Sequence, residues 1–355
     1  MKKLFIFIFM LMAALSYSQQ KYALVIGNGN YTNFGRLTNS LNDANDMATV
    51  LQELGFTVEI IIDGNRAQMA DGIIRLKNRL SMTQKSYGFF YYAGHGLQHN
   101  GINYLIPSNA DIPSANFLGD TSISVQTMLA ELNDARNELN IIVLDACRDF
   151  PSAWSRSMNR GLSVITNQPA DSIIVYSTSA GSVASDGTTG RNGLFTNHLL
   201  NQLRTPGLNV HDIFNNTGAA VTQESNRQQI PAIYSQYFNT AYLGSMTYNI
   251  SWYEMRPLEI SYLIDKCIIV QGRDFITITL YENNKLNTYT LRNYNNLSNY
   301  YNTVIYNEET WTRDIGRIKI TNNEFIFFVQ GPFDEFNENE FDADDYSVYI
   351  KGALR

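Results

Sequence analysis

The chain has 355 residues, room for two domains, and with 44% apolar and 17% charged residues it is neither disordered nor collagen-like. Its formal charge of −7 includes no basic block, which argues against nucleic acid or an anionic membrane as a partner. Two cysteines, Cys147 and Cys267, are too few for a disulfide framework or a zinc site of linked pairs.

Met1-Lys2-Lys3 leads into a 12-residue apolar run from Leu4 to Leu15 and then into Ser16-Tyr17-Ser18-Gln19. A basic start, a short apolar stretch and a small-residue exit predict a secretory signal peptide over 1–19. The run is too short to span a bilayer as a helix, and no cysteine follows it to suggest a lipid anchor. The mature protein is therefore expected to be exported, periplasmic or extracellular, with no membrane span.

From Tyr22 the chain alternates short apolar runs with amphipathic stretches. Tyr22–Ile26 reads as a buried strand ended by Gly27-Asn-Gly29. Apolar residues then recur at helical spacing (Leu41, Ala44, Met47, Ala48, Leu51, Leu54) and stop at Gly55. Phe56–Ile62 reads as strand, Arg66–Leu80 as helix and Tyr87–Tyr92 as strand. Val125–Leu132 is predicted helical, Ile141–Leu144 and Ser172–Tyr176 are predicted strands, and helices are expected near Leu194–Leu203 and Val210–Thr222. Strands that alternate with helices and are apolar on both faces predict a mostly parallel sheet covered on two sides. After about Gly244 the chain turns rich in Tyr, Asn, Ile and Thr, with alternating runs such as Phe275–Leu280, Arg317–Ile320 and Phe325–Val329. That predicts a small antiparallel β domain over 245–355, behind a first domain over 20–244. Seven acids with no intervening cation lie between Asp334 and Asp345 and account for the whole net charge. They lack the alternating ligands and central glycine of a calcium hand and read as a solvated loop.

In open α/β sheets, sites form at the carboxyl ends of strands. His95 follows a predicted strand in Tyr91-Tyr-Ala-Gly-His-Gly96, and Cys147 follows another in Leu144-Asp-Ala-Cys-Arg-Asp149. A thiol is a useful nucleophile only as thiolate, and a nearby imidazole supplies or stabilises that form. The glycines around His95 are expected to let the backbone approach a substrate and to leave the Gly96 N–H available. With the Cys147 N–H, it could hold the oxyanion of a tetrahedral intermediate. Taken singly, each residue reads as a buried cysteine or a loop histidine; taken jointly, at two strand ends, they point to chemistry.

Ala146-Cys147-Arg148, with His95 about 50 residues upstream, matches the spacing of the caspase nucleophile motif. The stretch from Lys21 to about Gly244 resembles the caspase-like cysteine peptidases, and among them the paracaspase and metacaspase branch. Leu24–Tyr31 resembles that branch's first strand and loop, Tyr91–Gly96 its histidine motif, Leu144–Arg148 its nucleophile motif, and Ile174–Ser179 the strand that opens its small-subunit half. The resemblance implies an α/β fold, a three-layer α/β/α sandwich with a mostly parallel sheet, in which Cys147 and His95 form a catalytic dyad. Where caspases carry Gln two residues before the nucleophile, this chain has Asp145. By resemblance to paracaspases, Asp43, Asp145 and Asp186 fall around the primary substrate pocket. Clustered carboxylates in a partly dry pocket repel one another, so such a site suits a cation, and a guanidinium with forked donors best. The expected substrates are proteins or peptides with Arg, or secondly Lys, before the cut bond. The bland alternatives are a polar helix face at Asp43 and a turn at Asp186-Gly187.

No cofactor or metal is required by this reading; metacaspases often need calcium, and nothing in the chain settles that dependence. Gly27-Asn-Gly29 lacks the later glycine of a dinucleotide fingerprint. His95 and His99 flank a glycine-bearing loop with no adjacent Glu, which argues against zinc. Cys267 reads as a buried strand residue. The polar segment Phe150–Ser163 sits where caspase-like chains divide into large and small parts, and it holds Arg156 and Arg160, candidate self-cleavage positions. An intact, substrate-lining loop is the competing reading. A competing reading of the whole chain is a non-catalytic scaffold acting through its β domain.

Overall fold

The structure, a computed structural model, describes residues 19–146, 162, 168–178, 191–205 and 207–244, together with the backbones of Cys147 and of eight strands within 246–354. The leader expected over 1–19 lies, except for Gln19, outside the described residues, as does the acidic stretch 334–345.

In chain order the first part runs β1 (Gln20–Gly27), α1 (Ser40–Glu53), β2 (Thr57–Ile62), α2 (Arg66–Leu80), β3 (Ser86–His99) and β4 (Ile102–Leu105). A short α3 (Leu118–Thr121), β5 (Ile123–Ser124), α4 (Val125–Asn133), β6 (Leu139–Cys147) and β7 (Ser172–Tyr176) follow, then α5 (Leu194–Leu203), α6 (Val210–Glu224) and β8 (Ala232–Ser235). Local chemistry marks several of these ends. At α2 the Asn65 side chain accepts the Gln68 N–H while Gln68 Oε1 accepts the Asn65 N–H, each at 2.9 Å, so two orphan donors of the first turn are satisfied together. After α1, Gly55 takes φ +83°, a left-handed stop that suits a residue without Cβ. Asn100 and Gly101, both at positive φ, turn β3 tightly into β4.

The sheet has the order β2-β1-β3-β6-β7-β8, parallel except for the last pairing, with β4 and β5 added as an antiparallel flap on the far end of β3. β8 was not apparent in the sequence; it is four residues long and closes one edge. The strands read as unbroken apolar runs because both faces are covered. Leu24, Ile26, Phe90, Tyr92, Ile142, Leu144 and Ile174 pack on α2 and α4 through Met69, Ile73, Leu76, Met128 and Leu129. The alternate residues face α1 and α5: Gly27 lies so close to Ala44 of α1 that a Cβ would collide with it, and Tyr91 meets Thr196 of α5. Two helical layers with a mostly parallel sheet between them make the three-layer α/β/α arrangement expected from the pattern.

The chain divides into two compact units, Met1–Gln202 with Ile213–Phe238, and Leu203–Asp212 with Asn239–Arg355. In the second, eight strands, β9 (Met246–Met255), β10 (Ile264–Gln271), β11 (Phe275–Glu282), β12 (Lys285–Arg292), β13 (Tyr300–Asn307), β14 (Thr312–Ile320), β15 (Glu324–Gln330) and β16 (Val348–Leu354), close antiparallel into a barrel. Each strand pairs with its neighbour in sequence, and β16 returns to β9, so no edge is left open. Cys267, expected in a strand, lies in β10 opposite Leu280 and Tyr248. Closure was not legible from the alternation, because an open meander has the same period of two.

Lys21 of β1 shows how burial taxes a charge. Its Nζ donates to the Leu54 carbonyl at 3.1 Å and sits 5.8 Å from the centre of the Phe56 ring, yet desolvation pulls its pKa down to about 8. A base with a depressed folded pKa costs stability below that pKa, and the cost is relieved as pH climbs toward its unfolded value. Lys21→Met is therefore expected to be more stable than the wild type at pH 7, by about 1–2 kcal/mol once the lost contacts are discounted. The gap should shrink between about pH 8 and 10.5. Urea melts of both proteins across that range check it; a gap that stays constant would contradict the assignment.

Candidate active site

β3 and β6 run side by side, and their register sets Ala93 opposite Asp145, Gly94 opposite Ala146, and His95 opposite Cys147. The two residues singled out from different motifs are thus direct neighbours at the end of the parallel β3–β6 pairing. The position of His95 differs from the expectation in one respect. It does not follow its strand but lies within it, because β3 runs on for 14 residues, pairing with β6 up to His95 and with β4 from Gly96 to His99.

The His95 ring is buried and held on several sides. Nε2 lies 2.7 Å from the Gly35 carbonyl oxygen. A carbonyl only accepts, so Nε2 carries the hydrogen and the neutral ring keeps its basic lone pair on Nδ1. The Tyr31 and Phe34 rings pack against it in tilted contact, at 4.4 Å and 5.8 Å between ring centres. The Tyr31 hydroxyl also accepts the His95 N–H at 2.8 Å, and the Tyr92 hydroxyl donates to the His95 carbonyl at 2.7 Å.

The loop that supplies Tyr31, Phe34 and Gly35 is anchored at its start. Asp63 accepts the Gly29 and Asn30 N–H groups, each at 2.9 Å, and the Asn30 side-chain amide at 2.6 Å. Desolvation works against the Asp63 charge, but these donors and the nearby Arg36 outweigh it and hold its carboxyl below the usual range. Asn28 is buried beside them, donating to the Ile106 carbonyl at 3.0 Å and accepting the Gly64 N–H at 2.9 Å. Gly27-Asn-Gly29 is therefore a structural knot around strand ends.

The glycines beside His95 also have a different reason from the one expected. A Cβ on Gly94 would meet the Tyr31 and Tyr92 hydroxyls, both at 2.6 Å, and one on Gly96 would meet the Ala146 Cβ at 2.8 Å. Protein atoms, not substrate, fill both places. For the Gly96 N–H the local ladder is informative. The Ile106 N–H bonds to the His95 carbonyl at 3.1 Å, which makes Gly96–Leu105 a non-hydrogen-bonded pair and turns the Gly96 N–H away from β4 to the β6 side, where His95 pairs with Cys147.

Asp43 and Asp145 are both buried, and both reach the start of α5. Asp43, in the first turn of α1, accepts the Gly193 N–H at 3.0 Å, and Asp145 accepts the Thr196 hydroxyl at 2.6 Å. The segment before α5 is clasped to α1 as well. Arg191 grips Asp46 with two nitrogens at 2.9 and 3.0 Å, Asn192 donates to Asp46 at 2.9 Å, and Asn42 donates to the Arg191 carbonyl at 3.1 Å. The Ser177 and Thr178 hydroxyls are buried at the carboxyl end of β7 with no hydrogen-bond partner among the described residues. Asp186, Arg156 and Arg160 lie outside the described residues. Among the described residues, no three His, Cys, Asp or Glu side chains gather as a metal ligand set, and no helix is long and apolar enough to cross a membrane.

The residues that the motifs did not reveal are Tyr31, Gly35, Asp63, Gly193 and Thr196. Tyr31 belongs to a recognisable stretch, Gly27–Tyr31, but nothing in its spacing pairs it with His95. Thr196 carries no sequence signal at all.

The caspase domain profile matches residues 20–242, well over half of the chain. The chain belongs to the caspase domain family. Curated relatives are the mucosa-associated lymphoid tissue lymphoma translocation protein 1 of Homo sapiens, 30% identical over 131 residues, and its Mus musculus homolog, 29% identical over the same length. Those matches cover 37% of this chain and only 15% of each relative. Among solved structures, the Drosophila initiator caspase Dronc is similar at 14% identity with a TM-score of 0.48, over 64% of this chain and 86% of that one. Caspase-domain membership makes the chain a relative of cysteine peptidases, whose substrates are proteins.

Proposed function

We propose that the protein is an exported cysteine endopeptidase that cuts after Arg, and secondly Lys, with a peptidase domain over 20–244 and a β-rich domain over 245–355. The observation that carries this reading is the pairing of His95 with Cys147 on neighbouring strands, with Nε2 of His95 committed to the Gly35 carbonyl. Nδ1 of His95 takes the Cys147 thiol proton, the resulting thiolate attacks the scissile carbonyl carbon, and the Gly96 and Cys147 N–H groups hold the oxyanion. His95 delivers a proton from Nδ1 to the leaving amine as the C–N bond breaks. It then takes one from the water that hydrolyses the thioester, which returns the starting dyad. Asp43, Asp145 and Asp186 supply the negative pocket for the guanidinium. No metal takes part in these steps.

Matched peptides with Arg, Lys or Asp before the reporter test the reading, run with and without calcium. Turnover in the order Arg, Lys, with Asp ignored, is expected; preference for Asp would overturn the pocket assignment. The same pocket should accept the chain's own Arg156 or Arg160. Incubated wild type is then expected to yield fragments starting at Ser157 or Gly161 that a Cys147→Ala protein does not produce. A single uncut chain in an otherwise active enzyme rules self-cleavage out.

A further inference from the structure

Three buried groups form a directed chain behind the pocket. Thr196 Oγ1 lies 2.6 Å from Asp145 Oδ2 and 2.6 Å from the Tyr91 hydroxyl. A threonine hydroxyl has one proton, and a carboxylate can only accept. Thr196 therefore gives its proton to Asp145 and must accept from Tyr91, so the order runs Tyr91 to Thr196 to Asp145. Both donors are closed off from solvent, Tyr91 and Thr196 being 0% exposed, so water does not substitute for either bond. The elements involved are rigid: Tyr91 is in the middle of the sheet on β3, Asp145 is near the end of β6, and Thr196 is in the first full turn of α5. Three residues earlier the same helix start donates the Gly193 N–H to Asp43.

We infer that the first turn of α5 is the template that sets the spacing of the two acids, with Thr196, backed by Tyr91, as the positioning residue for Asp145 and so for arginine selectivity. This rests on the acidic-pocket reading above and adds to it a residue that acts through Asp145. A bidentate guanidinium needs carboxylate oxygens placed to a few tenths of an ångström. A carboxylate that loses a buried hydroxyl donor can rotate about its side-chain torsions and loses one of the bonds that hold its charge in place. The nucleophile is on the same strand, two residues on.

The test compares wild type, Thr196→Val, Thr196→Ser and Tyr91→Phe on matched peptides with Arg or Lys before the reporter. The rate of Cys147 alkylation by iodoacetamide, which needs no pocket, is measured alongside. Thr196→Val keeps the shape and removes the hydroxyl. Its kcat/KM on the Arg peptide is expected to fall about tenfold or more, mainly through KM, with an alkylation rate within about twofold of wild type. Thr196→Ser should restore most of the loss, and Tyr91→Phe should lose less than Thr196→Val. Wild-type KM in Thr196→Val overturns the inference. So does a loss that Thr196→Ser fails to restore, or one matched by slower alkylation, since either marks general damage. A wild type that does not favour Arg overturns the pocket reading and this inference with it, and the parent protein alone reveals that outcome.

Discussion

Cys147→Ala protein is expected to lose turnover of arginine peptides by about 10⁴-fold or more, while keeping its circular dichroism spectrum and melting temperature. In the proposed mechanism the sulfur is the atom that bonds to substrate carbon, and alanine offers no nucleophile in its place. Backbone donors for the oxyanion remain, which is why a small residue of activity is compatible with the mechanism. Alanine at the last position of β6 keeps the backbone pairing with His95, so folding should not suffer. Assay of the variant at high enzyme concentration checks the loss, and unchanged turnover would remove Cys147 from the mechanism.

The second large effect is at Asp145. Asn in its place keeps the size and an oxygen that can still accept the Thr196 hydroxyl, but removes the charge facing a substrate guanidinium. Expected is a fall of about 100-fold in kcat/KM for Arg peptides, carried mostly by KM, with relatively more turnover of peptides bearing uncharged residues at that position. Thr196→Val and Asp145→Asn separate position from charge: the first leaves a misplaced carboxylate, the second a well-placed neutral amide. Steady-state kinetics on one peptide series reads both. Equal kcat/KM for Arg peptides in wild type and Asp145→Asn would leave no role for that acid.

The regular elements were legible where local chemistry decides them. Arg66–Leu80 and Leu194–Leu203 begin and end where helical spacing and flanking residues predict. The two buried strands of the motifs read as apolar runs because the sheet is covered on both faces. β8 escaped because Ala232–Ser235 is a four-residue strand directly behind Pro231, too short for any period to stand out. The extension of β3 past Tyr92 escaped for a different reason. Glycines at 94 and 96 read as a loop, whereas they are needed where two tyrosine hydroxyls and Ala146 crowd a strand.

The site was half legible on similar grounds. His95 and Cys147 stood out because each lies in a motif and the two share a known spacing. The groups that hold His95 and Asp145 come from far along the chain: Tyr31 stands 64 positions from His95 and Thr196 stands 51 from Asp145. Such partners are chosen by the fold, and single-residue chemistry gives no hint of them.

A peptide carrying Arg next to a thiol-reactive group tests the central claim most directly. Incubated with the intact protein and analysed by mass spectrometry after digestion, it should leave a single adduct on Cys147. The labelling should be slowed strongly by His95→Ala, and a matching probe with Asp in place of Arg should label little. No adduct on Cys147 in folded wild-type protein, or equal labelling by the Arg and Asp probes, would contradict an arginine-directed cysteine peptidase; the first of these would favour a caspase-domain scaffold.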